Sequence, residues 1–333
     1  MLVDSYNRKL DYLRVSVTDR CNLRCVYCMP PDGVEWKSHD SMLTFEESLK
    51  ICRVMADLGI RKIKITGGEP LVRRGLPSFI KKLKELPGIE NVTLTTNGLL
   101  LKEFLNEAEK LLPNSLPGSV NISLDALSVE RFNLITRTKF SDTEKILKQI
   151  ERLTKKNIPV KLNCVPIRSY NEDEIIPIVS LAKEKNIAVR FIELMPMGAA
   201  SALIPVKGEE TAAIIEKAYG PLKAISGVHG NGPAIYYSLA RFAGKIGFIN
   251  PVSLGFCESC NRLRLSADGL LRPCLSSDFA VDLKALLRGG AKDAEIAEAI
   301  REAAGKKPRF HTFSHIYGDS PEKHGSNMFK IGG

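Results

Sequence analysis

Six of the eight cysteines in this 333-residue chain fall into two groups of three. The first triad is Cys21, Cys25 and Cys28, and the second triad is Cys257, Cys260 and Cys274. Structural zinc takes four ligands, whereas a 4Fe-4S cluster held by three cysteines leaves one iron open to a further ligand. The spacing therefore favours two iron-sulfur sites. Zinc, with His39 as a fourth ligand at the first triad, is the alternative.

The other two cysteines, Cys52 and Cys164, lie in apolar patterns. Cys52 shares a helical apolar face with Ile51 and Met55, and Cys164 alternates with Leu162 in a strand. We predict that both are buried in the core.

A β-hairpin is predicted between the last two cysteines of the second triad. Its turn is expected at Ala267, Asp268 and Gly269, and we expect the two strands to place Cys260 opposite Cys274. The second triad is therefore expected to be preformed.

Two arginines lie on the first strand of this hairpin. Arg262 and Arg264 alternate with Leu263 and Leu265, so both guanidinium groups leave the strand on one face. Two planar guanidinium groups on one face suit a polyphosphate. A solvated edge strand is the alternative.

Short runs of β-branched residues alternate with helical patterns through the first two thirds of the chain. The predicted strands cover about residues 12–18, 61–66, 92–97, 119–125, 158–165 and 187–194. This βα series predicts parallel strands. Because six strands are fewer than the eight of a closed barrel, we expect an α/β fold with a partial barrel, and a doubly wound sheet is the alternative.

One helix in this region has a clear start and stop. Thr44 and Glu47 form a capping-box pattern, and Gly59 ends the helix. The segment 106–119, which contains two prolines, is expected to be a long loop.

The two faces of the predicted strands differ in polarity. One face is apolar throughout, as at Leu13 and Ile63. The opposite face carries Arg14, Ser16, Thr18, Lys64, Thr66, Thr93, Thr95, Asn97, Asn121, Ser123, Asp125, Lys161 and Asn163. Parallel strands are normally apolar on both faces, so this pattern predicts a lumen that holds a polar ligand near the carboxyl ends of the strands. An antiparallel sheet with one wet face is the alternative.

After about residue 225 the pattern changes to strands punctuated by glycine. Strands are predicted near 234–240, 244–250, 261–266 and 270–274, and helices near 281–288 and 293–304. We therefore predict an N-terminal domain at 1–225 and a smaller α+β domain at 226–333. The tail from about residue 306 shows no clear periodicity.

The composition is typical of a globular protein, with 44% hydrophobic and 26% charged residues. No stretch reaches the ~18 consecutive apolar residues of a membrane helix, and Asp4, Arg8 and Lys9 interrupt the start where a signal peptide needs an apolar core. We expect a cytoplasmic protein with no membrane partner. The net charge of +10 attracts polyanions but does not choose between nucleic acid, nucleotide phosphates and an acidic partner.

The sequence CNLRCVYC at residues 21–28 resembles the signature of radical S-adenosylmethionine (SAM) enzymes, in which an aromatic residue precedes the third cysteine. The run Gly67-Gly68-Glu69-Pro70 matches the Gly-Gly-Glu motif of that family, which receives the methionine amino group of SAM. Paired glycines let backbone groups approach a ligand, and a carboxylate accepts hydrogen bonds from an ammonium. An ordinary strand-to-helix turn is the alternative.

The two triads, the segments TDRCNLRCVYCMP and CNRLRL, and the terminal Gly332-Gly333 together resemble the GTP 3′,8-cyclases, which open molybdenum cofactor biosynthesis. The resemblance runs from Arg14 to Gly333. It implies a partial six-stranded parallel (βα) barrel with one 4Fe-4S cluster, a smaller C-terminal domain with a second, and GTP between them. It also implies that the Gly-Gly tail reaches into the active site. A frayed end is the alternative.

The resemblance also implies individual contacts. SAM is contacted by Tyr27, Gly68, Glu69, Ser123 and Met195. GTP is contacted by Arg14, Lys64, Thr95, Lys161, Arg262, Leu263 and Arg264. Arg190 is a further GTP candidate, with a buried salt bridge at a strand end as its alternative.

The implied reaction begins when the reduced first cluster cleaves SAM to methionine and a 5′-deoxyadenosyl radical. This radical takes the C3′ hydrogen of GTP, and the C3′ radical attacks guanine C8. The second cluster is expected to bind the guanine edge.

The implied partners are an electron donor of the flavodoxin or ferredoxin type and the cyclic pyranopterin monophosphate synthase that receives the product. No nucleic acid is expected, and monomer and homodimer both stay open. The rival hypotheses are a radical SAM enzyme that modifies a peptide and a two-zinc nucleic-acid-binding protein. Arg262, Arg264 and the Gly-Gly end argue against the first rival, because a peptide substrate does not require them.

Overall fold

The computed structural model describes residues 1–34, 36, 38–111, 115–139, 142–227 and 232–313. The side chain of His39 and the terminal Gly332-Gly333 lie outside the described residues, and the expectations for them stay predictions. No described helix is long and apolar enough to span a bilayer.

Six parallel strands form the centre of one sheet, in chain order. They are β1 (Tyr12–Ser16), β2 (Lys62–Thr66), β3 (Asn91–Thr96), β4 (Ser119–Ser123), β5 (Val160–Cys164) and β6 (Ala188–Ile192). All six lie where the sequence predicted them. The parallel pairing excludes the antiparallel alternative, and the α/β class is confirmed.

The sheet does not end at these six strands. The C-terminal region adds β7 (Lys223–Ala224), β8 (Ile235–Ser238), β9 (Lys245–Ile249), β10 (Arg262–Leu265), β11 (Leu270–Arg272) and β12 (Val281–Asp282). β10 pairs parallel to β1, and β9 pairs parallel to β6, so eight neighbouring strands run parallel. The remaining pairs are antiparallel and complete a twelve-stranded sheet in the order β12-β11-β10-β1-β2-β3-β4-β5-β6-β9-β8-β7.

This extension differs from the expected six-stranded unit beside a separate domain. Both edges of the central sheet offer unpaired backbone groups, and strands from the C-terminal region satisfy them. The second triad is thereby fixed to the edge that carries β1 and the first triad.

Helices pack against the apolar face of the sheet. They are α1 (Phe45–Leu58), α2 (Leu76–Lys84), α3 (Leu101–Leu111), α4 (Val129–Thr136), α5 (Thr143–Lys155), α6 (Ile175–Glu184), α7 (Gly208–Tyr219), α8 (Leu283–Arg288) and α9 (Asp293–Gly305). The capping box of Thr44 and Glu47 and the left-handed Gly59 at the end of α1 are confirmed. The predicted loop at 106–119 is wrong in its first part, because α3 continues to Leu111 and buries Phe104, Leu105 and Ala108 on one face.

The predicted difference between the two strand faces is confirmed. Leu13, Ile63 and Val120 are among the apolar strand residues with no exposed surface, and they belong to the main core. Cys52 and Cys164 are also fully buried, as predicted. The polar face is left to line a cavity.

Candidate active site

One cavity of about 300 Å³ lies over the polar face of the sheet. All six cysteines of the two triads line it, together with side chains of β1 to β6 and β10. The pairing of β1 with β10 explains why residues about 240 positions apart in the sequence meet here. The two triads therefore open onto a common space.

The loop of the first triad is held by the end of α4. The amides of Arg24 and Val26 donate to the carbonyls of Thr136 and Ile135 at 3.0 and 2.9 Å. The Arg137 guanidinium, on a left-handed residue at the end of α4, donates to the Met29 carbonyl at 2.8 Å. These hydrogen bonds hold the main chain of the loop, and the three thiols stay available to bind a metal.

Gly67 and Gly68 allow two chain segments to pass in close contact. The amides of Gly68 and Glu69 donate to the carbonyls of Thr18 and Arg20 at 2.7 and 2.8 Å. A Cβ at Gly68 would lie only 2.3 Å from the Arg20 carbonyl oxygen. The glycines are thus required for the approach of these segments, which places Cys21 beside the end of β2.

Glu69 is buried against the same cavity and is held by three donors. Thr96 Oγ1 and the Leu71 amide donate to Oε1 at 2.7 and 3.0 Å, and the Asn97 amide donates to Oε2 at 2.6 Å. Burial raises the pKa of Glu69 to about 7, although these hydrogen bonds oppose the shift. The carboxyl group is therefore oriented before any ligand arrives.

Tyr27 is fixed by a carboxyl group on the opposite side of the cavity. Its hydroxyl donates to Asp125 Oδ2 at 2.7 Å, and Asp125 Oδ1 accepts from the Val165 amide at 2.8 Å. Asn171 supports this turn by donating to the Asp125 carbonyl at 2.8 Å. Burial raises the pKa of Asp125 to about 6.

The hairpin of the second triad is present with its turn where predicted, but the predicted partner of Cys260 is wrong. Arg264 lies opposite Arg272, which extrapolates to Cys260 opposite Ser276, two residues beyond the predicted partner Cys274. The turn spans Ser266 to Gly269, and β11 ends at Arg272, so Cys274 lies beyond the paired strand. Cys274 nevertheless lines the cavity with Cys257 and Cys260.

The charges around Cys260 favour its thiolate. Burial by itself would raise the pKa of Cys260, but the nearby charges of Arg262 and Lys307 outweigh burial and lower the pKa to about 6. In contrast, burial raises the pKa of Cys21 to about 11. Metal binding deprotonates thiols in either setting.

A row of cations crosses the inner face of three adjacent strands. Arg264, Arg14 and Lys64 are register partners on β10, β1 and β2. Burial lowers the pKa of Lys64 well below its ordinary value, and Arg14, Arg190, Lys161 and Arg262 lower it further. Burial also lowers the pKa of Arg14, to about 10. Such a concentration of buried positive charge is typical of a site for an anion.

Arg190 lies on β6 and lines the cavity. The buried salt bridge that was the alternative role for Arg190 is absent among the described residues. Its Nη2 donates to the side-chain oxygens of Asn121 and Asn163 at 2.7 and 2.5 Å. No described carboxylate forms an ion pair with it, and its buried Nε has no hydrogen-bond partner among the described atoms. The guanidinium is therefore positioned by amides that leave its charge uncompensated.

The structure brings most of the predicted site residues to the cavity. Besides the six cysteines, these are Arg14, Tyr27, Lys64, Gly68, Glu69, Thr95, Ser123, Arg190, Met195, Arg262 and Arg264. Lys161 lies on the inner face but does not line this cavity, and burial lowers its pKa to about 8. The Leu263 side chain is fully buried in the core on the other face, so only its main chain could face a ligand.

Three charged or polar side chains near the second triad were not predicted from the sequence. Lys307 and His311 line the cavity from the segment after α9, and Arg8 donates to the Cys257 carbonyl at 2.7 Å. They lie in segments without periodicity, so no pattern marked them. The clue in the sequence was limited to their charge.

The donor set of each triad fits an iron-sulfur cluster. All six thiols are free, half-buried and directed to one cavity. Among the described residues, no three His, Cys, Asp or Glu side chains form a group that could hold a single metal ion. Three thiolates per triad are the ligand set of a 4Fe-4S cluster with one open iron.

Comparisons with known proteins agree with this geometry. The family profile of the Radical SAM superfamily matches residues 15–182, and that of Molybdenum Cofactor Synthesis C matches residues 187–313. A "GTP 3′,8-cyclase" of Clostridium perfringens is 41% identical over 330 residues and 99% of each chain. The enzyme of the same name from Syntrophomonas wolfei is 42% identical over the full length of both chains, and that from Desulforamulus reducens is 44% identical over 93% of this chain and 95% of its own.

A solved structure is similar in fold. The crystal structure of Streptococcus suis SuiB bound to S-adenosylmethionine matches with a TM-score of 0.61 over 95% of this chain and 76% of that chain, at 15% identity. At that identity the likeness concerns the fold alone. The relatives that match along the whole chain decide the family: this chain belongs to the GTP 3′,8-cyclases, within the radical SAM superfamily.

Proposed function

We propose that this protein converts GTP to 3′,8-cyclo-7,8-dihydro-GTP, the first step of molybdenum cofactor biosynthesis. The observation that carries the proposal is the single cavity that both triads and the row of cations line. A purine nucleoside triphosphate carries negative charge at one end, which cations bind, and nitrogen and oxygen donors at the other, which can bind an open iron. Together with full-length similarity to GTP 3′,8-cyclases, this arrangement supports GTP as the substrate.

The first triad would hold a 4Fe-4S cluster with SAM on its open iron. When bound and reduced, this pair supplies a 5′-deoxyadenosyl radical, which takes a hydrogen atom from an unactivated carbon. Tyr27, Gly68, Ser123 and Met195 would contact SAM, and the pre-oriented Glu69 carboxyl group would accept from its ammonium. The hydrogen bond from Tyr27 to Asp125 keeps the aromatic ring at the edge of the cavity.

The cations would hold the triphosphate of GTP. Arg14, Lys64, Arg262 and Arg264 surround the same space, and Arg190 would add a guanidinium from the opposite strand. Thr95, Lys161 and the main chain at Leu263 would complete the contacts. Fixing the triphosphate at several points holds the ribose and guanine in one orientation, which favours an intramolecular ring closure.

The second triad would hold another 4Fe-4S cluster, whose open iron would bind the guanine edge. In this proposal the six central strands form the partial barrel that binds SAM, and they belong to an N-terminal domain at 1–225. The cysteines of the second cluster belong to the C-terminal domain at 226–333. The electron would come from a flavodoxin- or ferredoxin-type donor in the cytoplasm. The product would pass to cyclic pyranopterin monophosphate synthase.

Anaerobic reconstitution with iron and sulfide, followed by reduction and incubation with SAM and GTP, tests this proposal. We expect a brown protein that forms 5′-deoxyadenosine together with a cyclised GTP product. A colourless protein after reconstitution would favour zinc. SAM cleavage with no change in GTP would favour another substrate, such as a peptide.

A further inference from the structure

Lys307 is a fully buried lysine beside the second triad. Only 3% of its surface is exposed, and it lies two residues after the end of α9. Its Nζ donates to the carbonyls of Arg262 and Pro273 at 2.8 and 2.7 Å. No described carboxylate forms an ion pair with it.

These two carbonyls belong to the two chain segments that carry cysteines. Arg262 begins β10 two residues after Cys260, and Pro273 directly precedes Cys274. The ammonium also interacts electrostatically with the thiols of Cys260 and Cys274. A single ammonium thus joins the first residue of β10 to the residue that follows β11, where the observed ladder has ended.

Arg8 is a second cation near the second triad, and within the described residues it differs from Lys307 in having a carboxylate partner. Arg8 donates to the Cys257 carbonyl, and it also donates to the carbonyls of Pro308 and Arg309 at 2.7 and 2.9 Å. Its charge is compensated by an ion pair with Asp4 at 2.5 Å. For Lys307, by contrast, no carboxylate in the described part of the chain compensates the charge, and the thiols of Cys260 and Cys274 interact with it.

Three thiolates that hold a cluster bring negative charge into this buried space. Net charge and hydrogen bonds to the sulfurs set the reduction potential of such a cluster, and the residues behind the ligands tune its affinity. We propose that Lys307 is a positioning residue of the second cluster, which ties the Cys260 and Cys274 segments together and supplies a fixed positive charge beside their sulfurs. This inference rests on the proposed function, because it needs a cluster at the second triad.

Removing this ammonium has two expected effects. Loss of a residue behind the ligands typically weakens metal binding about 10- to 100-fold, so iron should leave the second cluster correspondingly faster. Loss of a nearby positive charge makes reduction less favourable, so the midpoint potential should become more negative.

The experiment uses the full chain with the first triad replaced by alanine, so that only the second cluster forms. Lys307→Gln in this background is compared with Lys306→Gln, which removes the same charge from the neighbouring exposed lysine. Lys307→Arg retains the charge and its donors. Iron release to a chelator gives the kinetic readout, and a redox titration followed by electron paramagnetic resonance gives the potential.

We expect faster iron release and a more negative potential for Lys307→Gln alone, with Lys307→Arg and Lys306→Gln close to the parent. Equal iron release and equal potential in Lys307→Gln and Lys306→Gln would overturn the role of Lys307 while the two-cluster proposal stands. Lys307→Gln could fail to hold the second cluster at all. In that case a cluster retained by Lys307→Arg would support the role of the positive charge, and a cluster lost in Lys307→Arg as well would overturn it. A parent that binds no second cluster would overturn both proposals.

Discussion

Replacing Gly68 by alanine is expected to displace the loop of the first triad and to slow SAM cleavage. A Cβ at this position would lie 2.3 Å from the carbonyl oxygen of Arg20 and 2.6 Å from that of Asp19. Ordinary contacts between heavy atoms lie at about 3.5–4.0 Å, so one segment must move by roughly 1 Å. Because both obstacles are backbone atoms, no side-chain rotation can relieve the contact.

The cost can be worked out from the contacts that the movement disturbs. Overpacking typically costs about 1–3 kcal/mol. The hydrogen bonds from Gly68 to Thr18 at 2.7 Å and from Glu69 to Arg20 at 2.8 Å add about 0.5–1.5 kcal/mol each if they are lost. The variant should therefore lose about 2–6 kcal/mol of stability. A displacement of about 1 Å at the reacting groups typically costs about a hundredfold in rate.

The assay is 5′-deoxyadenosine formation by the reconstituted, reduced protein, together with iron content and thermal unfolding. Gly305→Ala is the matched control, because a Cβ there meets only Ser5 Oγ at 3.9 Å. We expect the control to match the wild type and Gly68→Ala to unfold at lower temperature and to cleave SAM about a hundredfold more slowly. A wild-type melting temperature and a wild-type rate for Gly68→Ala would refute the reasoning, since the added carbon would then fit without movement.

Further variants separate the roles of the two triads, the arginines and the tail. Replacing any cysteine of the first triad by alanine should abolish SAM cleavage, whereas replacements in the second triad should spare it and abolish GTP conversion; equal loss in both sets would contradict separate roles. Arg262→Ala or Arg264→Ala should weaken GTP binding by about 2–5 kcal/mol, or roughly 30-fold to several thousand-fold, in a calorimetric titration. Wild-type affinity with normal turnover would instead show that these arginines do not bind GTP. Deleting Gly332 and Gly333 should leave 5′-deoxyadenosine formation intact and stop GTP cyclisation, and an unchanged product yield would identify the tail as a frayed end.

The sequence alone determined the local elements and the chemistry of the ligands. The six central strands, the capping box at Thr44 and the buried Cys52 follow from patterns within a few residues of each position. The polar inner face could also be predicted, because side chains of a strand alternate between two faces. Cysteine spacing predicted the two triads, because ligands on one loop or hairpin are close in sequence.

Tertiary structure decided how these elements meet. Strands β9 and β10 join opposite edges of the sheet, and nothing local in their sequence specifies which edge each one pairs with. The turn from Ser266 to Gly269 fixes the hairpin register, and pairing about it places Cys260 opposite Ser276, so the predicted pairing of Cys260 with Cys274 was wrong by two residues. Pattern periodicity gives the face of a residue but not its partner across the strand.

The contacts that complete the site join residues that are distant in the sequence. Gly68 is required because the chain at Arg20 passes 2.3 Å from the position of a Cβ, a constraint that its own sequence context does not contain. Arg190 faces two asparagines on neighbouring strands, and Lys307 reaches carbonyls 45 and 34 residues earlier. The amino-acid types supplied the charges and donors, but only folding selected their partners, because each partner is brought close by the packing of strands and helices and not by chain proximity.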